Sequence, residues 1–349
     1  MIFFVKKIIF VKSCQNGVVI LRREILNYFV MKKQFDKVVH LEKAGTLKKF
    51  ISNDELMMLE SLKITGKINK QDFDEVIEEM CDAFCWYDDD DCLIIEYDHS
   101  PKLRILDMGE CVFEGGNILP DFDPKILREL ILPQGIEYLG TEYECSISEC
   151  EDLERLVFSE GLKEIRDVFW CPKLKEVNIP LSVRKIEHSF LTTSLTEVFI
   201  HKNVEEISQG SFTSNLIKKI DIDPENKFIK IIDGVIFSAD MKKLKSFTHA
   251  YQNKKYVIPN GVEEIGDMAF DSANIEEIEM PKTLKKIDTF AFQDSKLRYV
   301  EIPDSVIEIG DCAFRFCLEL EFVKFSKNLN NMGRDVFYYC PKLKRKIKL

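Results

Sequence analysis

The residues best suited to chemistry are a group of cysteines, a run of aspartates and five histidines. Cys81, Cys85 and Cys92 surround Asp88 to Asp91. Cys81 and Cys85 stand four apart and would share one face of a helix, which brings thiolate and carboxylate ligands towards one point. A zinc site normally adds a second tight pair of cysteines or histidines, and only His99 stands near. The aspartate run also lacks the glycine and the alternating ligand order of a calcium loop. The bland account is an acidic, solvated loop after a helix. His40, His99, His188, His201 and His249 form no His-x-x-x-His or Glu-x-x-His pattern. His201 takes the place of a strand-ending proline and is expected at an exposed turn. Gly115-Gly116 is isolated and is not a phosphate loop. No catalytic residue, cofactor or metal site is assigned, and the chain is expected not to be an enzyme.

A second set of cysteines has a different logic. Cys150, Cys171, Cys317 and Cys340 each precede a recurring leucine by three residues, and Thr192, Thr213, Ser272 and Asp294 fall at the same offset. Small, weakly polar groups repeated at one place predict a structural column at a coil corner, hydrogen-bonded to nearby backbone. Parallel Cβ vectors in such a column disfavour disulfides.

That column belongs to a repeat. Leu174, Val177, Ile179, Val183, Ile186 and Phe190 form one unit; Leu195, Val198, Ile200, Val204, Ile207 and Phe212 form the next. Starts at 153, 174, 195 and 216 are 21 apart, and later units are spaced by 22 or 23. In each unit Leu-x-x-Val-x-Ile reads as a short strand. A following proline, as at Pro180, Pro281 and Pro303, cannot donate to a ladder and stops it. Val-x-x-Ile is a second extended piece, and the Phe stretch is a turn or short helix closing the coil. One unit cannot bury its own apolar side chains. Stacking units about 4.8 Å apart sets Leu on Leu and Phe on Phe and makes one continuous core. This accounts for 26 phenylalanines against two tryptophans.

The expected architecture is an α/β repeat solenoid of 21–23-residue units. Residues 1–40 form an N-terminal extension that need not belong to the fold, with Met31 as a second candidate start. Residues 41–126 form an α/β N-terminal cap and irregular first repeats, including a helix over 69–80 with Asn69 as N-cap. Residues 127–349 form the array. Within it, 221–255 is an inserted β-hairpin turning at Asp233-Gly234, after which Tyr256 resumes the register.

A net charge of −11 and a pI near 5.2 oppose nucleic acid as a partner. The apolar runs at the N-terminus are interrupted by Lys6, Lys7, Lys12, Arg22 and Arg23, so no signal peptide is recognised, and no run is long enough to insert into a membrane.

The segments "IPDSVIEIGDCAF" (302–314) and "IPNGVEEIGDMAF" (258–270), with the hairpin "DGVIFSADMKKL" (233–244), resemble the BspA-type leucine-rich repeat family, bacterial surface repeat proteins that include Bacteroidetes members. Residues 43–69 are similar to the N-terminal cap of such proteins. The resemblance implies a solenoid that binds host or microbial macromolecules, often secreted or at the cell surface, without catalysis.

The expected function is therefore adhesion or recognition of a protein or glycan through outward strand positions. These carry Phe199, Tyr299 and Phe322 among Glu176, Glu197 and Glu277, and exposed aromatics on a rigid face are typical interface anchors. A second reading is a structural spacer whose hairpin or cap makes the only contact. A third is metal binding through Cys81, Cys85 and Cys92.

Overall fold

A computed structural model describes residues 35–81, 86–87, 93–94, 101–120, 124–140, 147–168, 170–208, 211–213 and 216–344. Asp36–Leu349 forms one compact unit. The strand Lys37–Leu41 straddles the boundary expected at residue 40 and pairs with Ser61–Asn69.

The array is a β-solenoid rather than an α/β one. Among the described residues helix is confined to 47–81. There Ser52 caps Asn53–Met58, and Asn69 with Asp72 forms a capping box at the head of a continuous helix over 70–81. Asp72 is buried. Its carboxylate accepts the backbone N–H groups of Gly45 at 2.7 Å, Leu47 at 2.9 Å and Asn69 at 3.1 Å, so one side chain ties a loop to a helix start.

Each coil has two strand faces and a corner. The first face comprises three sheets with parallel strands: six strands from Lys37–Leu41 to Glu176–Val177, then Glu197–Ile200 with Lys219–Ile222, then Lys255–Val257, Glu277–Glu279, Tyr299–Glu301 and Phe322–Lys324. The expected sheet is thus interrupted twice. The second face carries Glu164–Arg166, Lys185–Glu187 and Glu206–Ser208, then a seven-stranded sheet ending at Asn331–Met332. One expected unit start also moves: Ile217 is buried and Leu216 is exposed, so that coil is one residue longer.

The corners are turns, not helices. Each of the last four has two non-glycine residues with left-handed φ, four apart: Met268 and Ser272, Phe290 and Asp294, Cys312 and Phe316, Asp335 and Tyr339. A left-handed residue breaks helical propagation, while Ala269, Ala291 and Ala313 bury flush beneath the corner. The rings behind them stack as expected: Phe190 on Phe212 at 5.1 Å, and Phe270, Phe292, Phe314 and Phe337 in succession at 4.8, 5.0 and 5.4 Å.

The insertion is larger than a hairpin. Ile229–Ile232 and Val235–Ser238 pair antiparallel around Asp233 and Gly234, both with positive φ. A Cβ at Gly234 would lie 2.6 Å from Ala250 Cβ, so the turn needs glycine. A third strand, Lys243–Phe247, completes a meander and then pairs parallel with Glu264–Ile265. Leu244 sits opposite Ile265 and Phe247 stacks on Phe270 at 4.8 Å. Register therefore resumes at Leu244, earlier than Tyr256. The meander also divides the expected continuous core. Ile236 packs with the N-terminal cluster, whereas Val235 and Phe237 pack with the C-terminal one, because alternate residues of a strand face opposite sides.

Candidate functional site

The outward residues of the first face fall into three places. Glu176 lies on the six-stranded sheet opposite Arg155, its Oε2 3.3 Å from Arg155 Nε. Glu197 and Phe199 lie on the next sheet opposite Lys219 and Asp221. Glu277, Tyr299 and Phe322 occupy one row on three consecutive strands of the last sheet, and Lys255 begins that row. Phe199, Tyr299 and Phe322 are each about half exposed, at 51%, 51% and 48%. The structure thus joins Tyr299, Phe322 and Glu277, and leaves Phe199, Glu197 and Glu176 on separate sheets. The expectation of one patch is corrected, because the meander and the break after Glu176–Val177 interrupt the face.

The Tyr299 row is held by a local network. Tyr299 Oη donates to Glu321 Oε2 at 3.2 Å, and Arg298 pairs with Glu321 at 2.8 Å. The Arg298 hydrogen bond holds the Glu321 carboxyl below its ordinary value. The parallel outward row reads Val257, Glu279, Glu301 and Lys324, with ion pairs Lys255–Glu279 and Lys324–Glu301. Two exposed rings thus stand beside a balanced charged surface, a composition suited to a partner that buries the rings and pairs the rim.

The corner cysteine column exists, one residue out of the expected register in several coils. The Cys171 backbone pairs with that of Thr193, and Ser295 Oγ lies 3.4 Å from Cys317 Sγ. Cys317 Sγ donates to the Phe292 carbonyl and Cys340 Sγ to the Phe314 carbonyl, both at 3.1 Å. These thiols bond to the preceding coil's backbone, as a structural column should. The neighbouring Thr192, Ser272 and Asp294 instead take the left-handed turn position.

His201 is buried at 4% exposure, contrary to the exposed turn expected for it. Its carbonyl accepts Val204 N–H just as Pro180 accepts Val183 and Pro303 accepts Val306. The substitution keeps the turn but buries an imidazole, and burial lowers its pKa. His249 is lowered for the same reason. Of the suggested metal group, Cys81 is buried; Cys85, Cys92, Asp88 to Asp91 and His99 lie outside the described residues.

A cleft at the last corners is not signalled by the repeat periodicity. Asp271, Gln293, Asp294, Phe316, Leu318 and Tyr339 line a hollow of about 380 Å³. Gln293 Nε2 donates to Asp271 Oδ1 at 3.2 Å. Burial, opposed by the Gln293 bond and aided by the nearby Asp294 charge, pushes Asp271 up to about 6. The Arg315 guanidinium covers the rings of Phe316 at 4.5 Å and Tyr338 at 5.3 Å. The only textual signal was the residue pair Tyr338-Tyr339 in a turn, where large aromatics have no core to fill.

Coils of this spacing, with stacked corner phenylalanines and two strand faces, match the BspA type leucine-rich repeat region in six copies, over residues 121–240 and 243–348. The chain belongs to the BspA-type leucine-rich repeat family. Among solved structures it is similar to a leucine-rich repeat protein from Eubacterium ventriosum, with 18% identity and a TM-score of 0.55, covering 66% of this chain and 71% of that one. A leucine-rich repeat protein from Bacteroides ovatus is 19% identical over 72% of this chain and 60% of that one, with a TM-score of 0.42. The pneumococcal vaccine antigen PcpA is 22% identical over 84% and 69%, with a TM-score of 0.45. No curated protein matches the sequence. Among the described residues no helix is long and apolar enough to cross a membrane.

Proposed function

We propose that this BspA-type array is a non-enzymatic recognition module that engages a protein or glycan through the outward face of its last first-face sheet. The observation that carries the reading is the cross-strand pair Tyr299 and Phe322, both half exposed on strands fixed by the core beneath them. Rings already held by a rigid sheet lose little conformational entropy on binding, and Glu277, Lys255 and Lys324 supply a polar rim.

The test is retention of the full chain on immobilised extracellular matrix proteins and on a glycan array. A Tyr299→Ala/Phe322→Ala double variant should lose retention that a Phe199→Ala variant keeps. Equal retention by wild type and double variant would remove the sheet face from the function. Loss on deleting 223–242, with the double variant unaffected, would move recognition to the meander.

A further inference from the structure

The corner cleft lies away from the sheet face and is a separate place to bind. Its wall is built from two columns that climb the last four corners. One holds Asp271, Gln293, Arg315 and Tyr338; the other holds Ser272, Asp294, Phe316 and Tyr339. Backbone bonds lock the columns together: Ser272 N–H to the Gln293 carbonyl at 2.8 Å, and Asp294 N–H to the Arg315 carbonyl and Phe316 N–H to the Tyr338 carbonyl, both at 2.9 Å. Side chains on this ladder are spaced by the coil repeat and cannot drift apart.

The lining selects a ligand chemistry. Asp271 and Asp294 are acceptors, and Gln293 carries both an amide donor and an acceptor. A ligand must therefore bring several O–H or N–H donors. The lining carries two carboxylates and no cation of its own, with Lys296 3.9 Å from Asp294 at its margin, which disfavours anions inside the hollow. A quaternary ammonium would need a cage of free aromatic faces, but Arg315 already covers Phe316 and Tyr338. Tyr339, 64% exposed and edge-on to Phe316 at 5.9 Å, is the ring still open, and Leu318 extends the apolar side. One open ring beside carboxylate and amide groups matches a body with one C–H face and a rim of hydroxyls. The hollow is shallow and open, so it takes one face of a ligand rather than enclosing it.

We propose that the cleft between Asp271, Asp294 and Tyr339 is a subsite for a neutral pyranose unit of a glycan. The sugar's C–H face lies on Tyr339, and its hydroxyls donate to Asp271 and Asp294 and accept from Gln293. The partly buried Asp271 carboxylate, already bonded by the Gln293 and Ser272 side chains, keeps further acceptor lone pairs for the sugar hydroxyls. Repetition of the ladder lets adjacent sugar units lie along the solenoid axis.

Saturation-transfer NMR on the full chain tests this with neutral hexose and N-acetylhexosamine trisaccharides, a sialylated trisaccharide and tetramethylammonium. Transfer to a neutral trisaccharide is expected, and it should disappear in Tyr339→Ala and in Asp294→Asn. Phe322→Ala, on the sheet face, should leave it intact, so this site and the sheet-face function fail independently. Both cleft variants are at exposed or half-exposed positions, and circular dichroism checks that they fold. No transfer to any neutral sugar from folded wild type overturns the proposal. So does transfer that survives both cleft variants, or stronger transfer to the sialylated sugar or to tetramethylammonium.

Discussion

The rings of Phe292 and Phe314, one coil apart, lie 5.0 Å apart and within 8° of parallel. Each is fully buried, so the stack is a spine rather than a surface decoration. Phe292→Ala should lower unfolding free energy by about 3–5 kcal/mol, from lost burial and the cavity left between two rigid coils. Phe316→Ala, at the half-exposed corner outside the stack, should cost clearly less. Urea denaturation of both variants checks the difference; equal losses would deny the spine its role.

Asp72 accepts from three backbone donors, the N–H groups of Gly45, Leu47 and Asn69. Asp72→Ala removes the acceptor of one buried and two part-buried N–H groups and should cost about 3 kcal/mol. Hydrogen exchange should quicken at Gly45, Leu47 and Asn69. Unchanged exchange at those amides would show the tie to be unimportant.

His201 and His249 have folded pKa values below the ordinary 6.5 because burial disfavours their charged forms. Above 6.5 both states are neutral and the burial is harmless. As pH falls below 6.5 the unfolded chain takes protons that the folded chain resists, so stability falls. His201→Pro restores the residue used at the same turn by Pro180 and Pro303 and should flatten this loss. Melting temperatures between pH 7.5 and 5 measure it; an identical slope in wild type and variant would contradict the assignment.

Asp271 has the opposite sign. Its folded pKa of about 6 exceeds its ordinary 3.8. Its contribution is full below 3.8 and is lost as pH rises through about 6. Asp271→Asn keeps an acceptor for Gln293 and removes the partly buried charge. The variant should melt higher than wild type at pH 7.5, with the advantage vanishing below 3.8. A lower melting temperature at pH 7.5 would mean that the carboxylate is stabilised by groups other than Gln293.

The repeat, the stacked phenylalanines, the strand-ending prolines and the Asp-Gly turn were all legible because they depend on local periodicity. An apolar residue every second or third position faces inward whatever surrounds it. Leu244 and Phe247 were hidden because they stand three apart, whereas Ile265 and Phe270, like Ile309 and Phe314, stand five apart. Their shared core position depends on the meander that delivers them, not on their spacing. His201 follows the same logic: its turn is legible in the residue spacing, but its burial depends on the coils on either side.

By itself, the order of residues determined that this chain must stack: each unit carries more apolar surface than one turn can hide, and the same side chains recur at matching places. Which outward residues meet was decided only by the folded array. Glu197 and Tyr299 are equivalent by spacing yet stand on different sheets, because the meander interrupts the ladder between them. Asp271 and Tyr339 are separated by three coils in the chain yet line one hollow, because the left-handed corner turns repeat in step and bring distant side chains onto a common wall.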